Sequence, residues 1–210
     1  MNELTLLSKV ALLLSGSLLI GAVGTYLGRA IQSIGAFILL AVLFIGGAIG
    51  VMFLASAPPV VGITSLFVWV FISGLFIGPS IEMYANKLGW QTVFLAYAGT
   101  GGVMAVTGAI GMFSGVDFSG LGSILMFGLF GLIIAGIIGI FWRMSRTVNI
   151  VYSLFGMVIF AGYFLFDFFR LTRSENTWEA AIRLTMELYL DFINFLLYLL
   201  QFLAAASDKS

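Results

Sequence analysis

Two aspartates stand in strongly apolar company in this chain: Asp167 in "YFLFDFFRL" and Asp191 in "LYLDFINFLLYLL". The chain has no histidine and no cysteine. That removes thiol chemistry, disulfides, Cys/His zinc sites and histidine acid–base catalysis. Histidine is also the usual pH switch, so pH sensing near neutrality falls to carboxylates. Asp191 ends a series, Glu179, Arg183, Glu187 and Asp191, in which each residue is four from the next. On a helix this spacing makes one slowly drifting stripe. Glu179–Arg183 and Arg183–Glu187 pairs can form along it among the headgroups. Asp191 then lies about 6 Å beyond Glu187, at roughly 1.5 Å per residue. Asp167 stands three residues before Arg170, near the same interface. The polar stretch "RLTRSENTWEAAIR" reverses the chain between the two aspartates, so their helices are antiparallel neighbours and the carboxylates can reach similar depth.

Two carboxylates in contact cannot both ionise cheaply, so such a pair shares a proton and titrates as a unit. Protonated, it closes a hydrogen bond between helices. Deprotonated, it repels itself unless a cation arrives, and oxygen-only ligands suit a hard cation such as calcium. Asp167 and Asp191 are therefore the expected proton-sharing pair and the expected contacts of a passing calcium ion. Two other readings stay open: an ion pair of Asp191 with Arg170, Arg173 or Arg183, and two separate surface positions. Glu187 reads as interfacial, with a site role as the alternative. Glu82 follows Gly78-Pro79 in "SGLFIGPSIEMY", where a proline inside an apolar helix frees a carbonyl and kinks the helix. Glu82 suits either a helix end, paired with Lys87, or an accessory cation or gate contact.

The elements that position these residues follow from composition. Of 210 residues, 61% are hydrophobic and 9% charged, where soluble domains carry about 25% charged residues. Mean hydropathy is +1.17. This is an integral membrane protein. Lys+Arg and Asp+Glu balance at nine each, without the basic clusters that nucleic acid requires. A bilayer core of roughly 30 Å needs about 20 helical residues. Breaks at "SAPP", "EMYANKLGW", "FSGVDFSG", "WRMSR" and "RLTRSENTW" divide the chain into helices over about 5–28, 31–55, 60–83, 90–112, 120–142, 147–169 and 178–205. The first run resembles a signal peptide in its lysine and small residues, but it is long enough to span and reads as a retained helix. Short loops leave no room for a soluble domain, so residues 1–210 form one all-α transmembrane domain. The 26 glycines cluster in helices 2, 4 and 5, where small residues allow close helix packing. With the N-terminus inside, the inner face would hold Lys9, Arg170, Arg173 and Arg183, and the outer face Arg29, Lys87, Arg143, Arg146 and Lys209. Four against five sets no orientation under the positive-inside rule.

Two stretches together resemble the Bax inhibitor (transmembrane BAX inhibitor motif) family. One is "GLFIGPSIEMY", Gly74 to Tyr84, with a Gly-x-x-x-Gly-Pro core; the other is "LYLDFINFLLYLL", Leu188 to Leu200. Asp167 falls 24 positions before Asp191, which is similar to the family's carboxylate spacing. The resemblance extends over the whole chain in length and span count. It implies six helices around a central, polar seventh helix. It also implies a pH-sensitive calcium leak of the bacterial type, in which the aspartate pair closes the pore when it shares a proton. Opening would follow deprotonation and movement of helix 2. Bacterial relatives often carry arginines at the end of helix 2 that latch onto the pair, and a glutamate within it. Here "VMFLASAPP" ends that helix without charge and "LLAVLFIGGAIGVMFL" is apolar throughout. The latch would then fall to Arg170, Arg173 or Arg183, or be absent.

The expected function is a pH-sensitive calcium or other cation leak gated by Asp167 and Asp191, with calcium as the transported ion and no cofactor. The competing reading is a membrane regulator that binds other membrane proteins, such as a protease or death-pathway partners, within the bilayer and without conducting ions. Enzymatic activity is not expected: an intramembrane aspartyl hydrolase would need Gly-Asp pairing, and Asp167 lies between two phenylalanines, Asp191 between Leu190 and Phe192. A compact chain with short loops favours a bacterial inner membrane.

Overall fold

The computed structural model describes residues 4–142 and 144–207. Arg143 and Lys209, both counted above on the outer face, lie outside the described residues. The described chain forms seven α-helices and no strand: α1 (Leu6–Gly28), α2 (Ile34–Leu54), α3 (Pro59–Leu88), α4 (Trp90–Phe113), α5 (Leu121–Phe141), α6 (Arg146–Leu171) and α7 (Trp178–Ser207). All seven are long and apolar enough to cross a membrane, as composition requires. A lipid-spanning chain must satisfy its backbone internally, and helices do so within one segment.

Helix starts follow local chemistry. Thr5, Ser33 and Ser145 cap α1, α2 and α6, their hydroxyls accepting from the N–H groups of Ser8 (3.2 Å), Ala36 (3.4 Å) and Val148 (3.3 Å). Such caps satisfy donors that have no partner inside the helix. α3 opens on Pro59, where a missing N–H costs nothing. The stretch 85–89, read from composition as a loop, is helical through Leu88. Its polar residues are ordinary helix formers, and only Gly89, at φ +84°, takes the left-handed conformation that ends a helix.

The chain divides into two compact units: the segment up to Met83 with Arg173–Tyr189, and Tyr84–Thr172 with the chain from Leu190. In the first, α1 and α3 approach backbone to backbone. A side chain at Gly24 would strike the Phe71 carbonyl, and one at Gly78 the backbone of Gly28 and Arg29. Pro79 cannot donate to the Leu75 carbonyl, and that carbonyl lies against Gly28. α2 is tied to α3 by Trp69, whose indole N–H donates to the Phe44 carbonyl at 2.9 Å. The early part of α7 joins them through Tyr189, whose hydroxyl pairs with Ser73 Oγ at 2.7 Å.

In the second unit α6 packs on α4 and α5. Glycines of α4 and α5 receive its aromatic rings: Gly108 faces Phe168 and Gly122 faces Phe166. α7 is the most buried helix; half of its most apolar window is shielded, against 11% for α2 and α5. It also carries the acidic series, of which Asp191 is buried and Glu179 exposed.

Candidate functional site

α6 and the later part of α7 run antiparallel in a register that successive contacts define. From one end, Gln201 Nε2 donates to Asn149 Oδ1 at 3.2 Å. The hydroxyls of Tyr152 and Tyr198 lie 3.1 Å apart, and the Tyr198 ring seats on Gly156, where any side chain would collide with it. Phe160 stacks on Tyr198 with ring centroids 5.8 Å apart, and Phe164 meets Phe195 at 5.8 Å. The next turn carries Asp167 on α6 and Asp191 on α7. Stepping three residues along one helix and four back along the other keeps each side chain near its face, so both aspartates fall within one turn of the Phe164–Phe195 contact. Tyr163, one turn before Asp167, stands within electrostatic reach of both. Asp167 is 3% exposed and Asp191 7% exposed.

Arg170 Nη1 lies 3.2 Å from Asp167 Oδ1, an i,i+3 contact on one helix face. The arginine side chain is 42% exposed and the aspartate 4%, so the guanidinium reaches from the boundary down to a buried carboxylate. An ion pair therefore does exist at this site, on Asp167. Arg183 pairs instead with Glu179, its Nη2 lying 3.1 Å from Oε1, with both side chains substantially exposed. Arg173 lies exposed in the turn after α6, and Glu187 is half-buried on α7. Of the three arginines that the sequence offers as a latch, Arg170 is seated on Asp167.

Glu82 lies in α3, one turn beyond Gly78, and its Oε2 is shielded from solvent without a hydrogen-bond partner among the described residues. Among the described residues no group of three or more His, Cys, Asp or Glu side chains could hold a metal ion. Calcium takes six to eight oxygens when tightly held.

Sequence reasoning passed over three features. Tyr163 could have been found, since it precedes Asp167 by one turn in "YFLFD". The Ser73–Tyr189 pair, 116 residues apart in the chain, and the Asn149–Tyr152–Tyr198–Gln201 cluster have no local signal. Neutral polar residues on apolar helices reveal their partners only when the helices pack.

The sequence profile described as "Inhibitor of apoptosis-promoting Bax1" matches residues 3–208. Bax inhibitor 1 of Schizosaccharomyces pombe is 32% identical over 144 residues, which cover 69% of this chain and 52% of that protein. The chain thus spans about half the length of that relative. A membrane protein of Vibrio cholerae is 30% identical over 208 residues, covering 97% of this chain and 90% of that protein. Mouse protein lifeguard 4 is 28% identical over 214 residues, covering 99% and 87%. With a profile matched across nearly its whole length and seven helices long and apolar enough to span a membrane, this chain belongs to the Bax inhibitor family of integral membrane proteins.

Proposed function

We propose that the protein is a pH-sensitive leak for calcium or a similar hard cation, gated by Asp167 and Asp191. The observation that carries this reading is the α6–α7 register, which puts two buried aspartates within one turn of the Phe164–Phe195 contact, with Arg170 on Asp167. At acid pH one proton shared between them holds the two helices together. As pH rises the proton leaves, and Arg170 offsets only part of the second negative charge. The helices then repel, and a cation is drawn to the oxygens. A conducting site needs binding that is favourable yet weak, which two carboxylates without a dense cage supply. The protein acts without cofactor and without catalysis on this reading. A bacterial inner membrane is its proposed location, supported by the Vibrio relative that matches nearly end to end.

A second reading has its own support. Bax inhibitor 1 of S. pombe and a vaccinia virus protein named Golgi anti-apoptotic protein, 39% identical over 93 residues, are relatives. Their names favour a regulator that binds other membrane proteins, a protease or death-pathway partner, without conducting ions. One experiment separates the two. The protein is reconstituted in liposomes loaded with a calcium dye, and influx is followed from mildly acidic to mildly alkaline pH for the native chain, Asp167→Asn and Asp191→Asn. The leak reading expects flux that rises with pH and a profile that either substitution flattens. Native flux no greater than that of empty liposomes at every pH would sink it in favour of the regulator.

A further inference from the structure

Lys9 of α1 carries a charge that the gating reading does not use. It is 7% exposed. Its ammonium donates to the backbone carbonyl of Asn176 at 3.3 Å and to Asn176 Oδ1 at 3.1 Å, and it stands 5.1 Å from the centre of the Trp178 ring. Asn176 is exposed in the turn before α7, and its amide donates in return to the Leu4 carbonyl at 3.1 Å. An exposed asparagine thus closes over a buried ammonium at the start of α1. Taking an ammonium out of water is costly. Charge-assisted bonds to two oxygens and a contact with an indole face offset that cost, and they do so only while the turn stays seated. An apolar side chain would fill the same space without the cost.

α1 and α7 meet again further along. A side chain at Gly21 would strike the Tyr189 hydroxyl and ring, and that hydroxyl pairs with Ser73 of α3. From Lys9 to Gly21 is twelve residues and from Trp178 to Tyr189 eleven, about 16–18 Å of helix in each case. The two helices therefore run parallel and in step, fastened at two heights. We infer that Lys9 is a positioning residue: with Asn176 and Trp178 it locks the start of α7 to α1 and so fixes the height of Asp191. α7 is one unbroken helix from Trp178 to Ser207, so Asp191, two residues past Tyr189, rises or falls with the locked end. The charged and titratable groups around Asp191 are Tyr163 of α6, Asp167 with Arg170 one turn beyond it, Glu187 one turn earlier on α7, and Tyr97 of α4 on the adjoining Phe192. A change in height moves the carboxylate among them. The link to Asp191 rests on the leak reading; the lock itself does not.

The test uses the full chain, in detergent and in liposomes. Arg173 lies exposed in the turn, so trypsin cleavage after Arg173 reports opening of the turn. Lys9→Met and Asn176→Ala should each speed that cleavage by about tenfold. The two together should do no more than the faster one, because both break the same contact. Asn176→Asp keeps the oxygens, adds a counter-charge and should hold the rate within about twofold of native. Tyr198→Phe loosens the far end of α7 and should leave the rate unchanged, which separates the lock from general destabilisation. In liposomes the Lys9→Met chain should show a displaced flux–pH profile, and Asn176→Asp should not. Size-exclusion chromatography checks folding, and Asn176→Ala, on an exposed residue, carries the test if Lys9→Met misfolds. Native cleavage rates in the folded Lys9→Met and Asn176→Ala chains, or equal acceleration by Tyr198→Phe, overturn the lock. Faster cleavage with a native flux–pH profile keeps the lock and overturns its hold on Asp191. A native chain that conducts at no pH overturns the leak reading and with it the link to Asp191, while the cleavage rates still decide the lock.

Discussion

The two ends of the α6–α7 seam are both polar, and they solve the problem of buried polarity in opposite ways. At the Asn149–Gln201 end neutral side chains pair with one another across the two helices. The amides pair at 3.2 Å, the tyrosine hydroxyls at 3.1 Å, and Tyr152 also donates to the Leu132 carbonyl of α5 at 3.1 Å. Beside them Arg146 donates to the carbonyls of Ala205 and Ala206 at the end of α7, where a cation is favoured by the helix dipole. At the other end stand two buried aspartates, with Arg170 on Asp167. Neutral pairs that satisfy each other fasten helices at any pH. Carboxylates in the same setting make the fastening depend on protons. The difference teaches that buried polar groups on α7 can serve two purposes: neutral pairs clamp one end at any pH, and on the proposed reading the carboxylates make the other end titratable.

That comparison can be broken from either side. The largest effect is expected from Gly156→Leu, which drives a side chain into the Tyr198 ring, 2.5 Å from where a Cβ would lie. Overpacking here should cost about 3 kcal/mol or more, read as a large drop in thermal unfolding temperature in detergent. The folded remainder should keep its flux–pH profile, since no carboxylate is touched. Next comes Arg170→Gln. Removing the guanidinium leaves Asp167 buried without the charge that favours its ionised form. The pair then keeps its proton to higher pH, and the rise in liposome flux should move to more alkaline pH. Because Arg170 is 42% exposed, solvent screening limits the effect, and a move of up to about one pH unit is expected.

Smaller changes sharpen the same distinction. Tyr198→Phe removes the hydroxyl contact with Tyr152 and should cost about 1 kcal/mol in thermal unfolding, with an unaltered pH profile. A shifted profile would show that the neutral end takes part in gating. Arg183→Gln breaks the exposed pair with Glu179 and should cost less than about 0.5 kcal/mol, with no change in either readout. A flux change there would bring the start of α7 into the gate and make Arg183 a latch after all.

Much of the fold was legible because lipid leaves a chain few choices. Runs of about 20 apolar residues must be helices, and "SAPP" had to part α2 from α3. The end of α3 was less legible. "EMYANK" looks like a loop in polarity, yet nothing in it opposes a helix before Gly89. The Asp167–Arg170 and Glu179–Arg183 contacts could be read from i,i+3 and i,i+4 spacing alone. Glu82 could not be read with the same ease. Spacing offered Lys87 as its partner, whereas its Oε2 is shielded and without a hydrogen-bond partner among the described residues. A carboxylate near a helix end chooses between solvent and interior according to what packs beside it.

By itself the sequence determined an integral membrane protein of seven helices, the lack of histidine and cysteine chemistry, and two aspartates on antiparallel neighbouring helices. These follow from hydropathy, residue type and helical period, which act within one segment or between consecutive ones. Tertiary structure alone decided that half of the most apolar window of α7 is buried, that Tyr189 ties α7 to Ser73, and that Phe164 of α6 meets Phe195 of α7. Such facts depend on register between helices. In lipid, an apolar helix has no preferred rotation until small residues such as Gly24, Gly78 and Gly156 let a neighbour close in and fix which side chains meet.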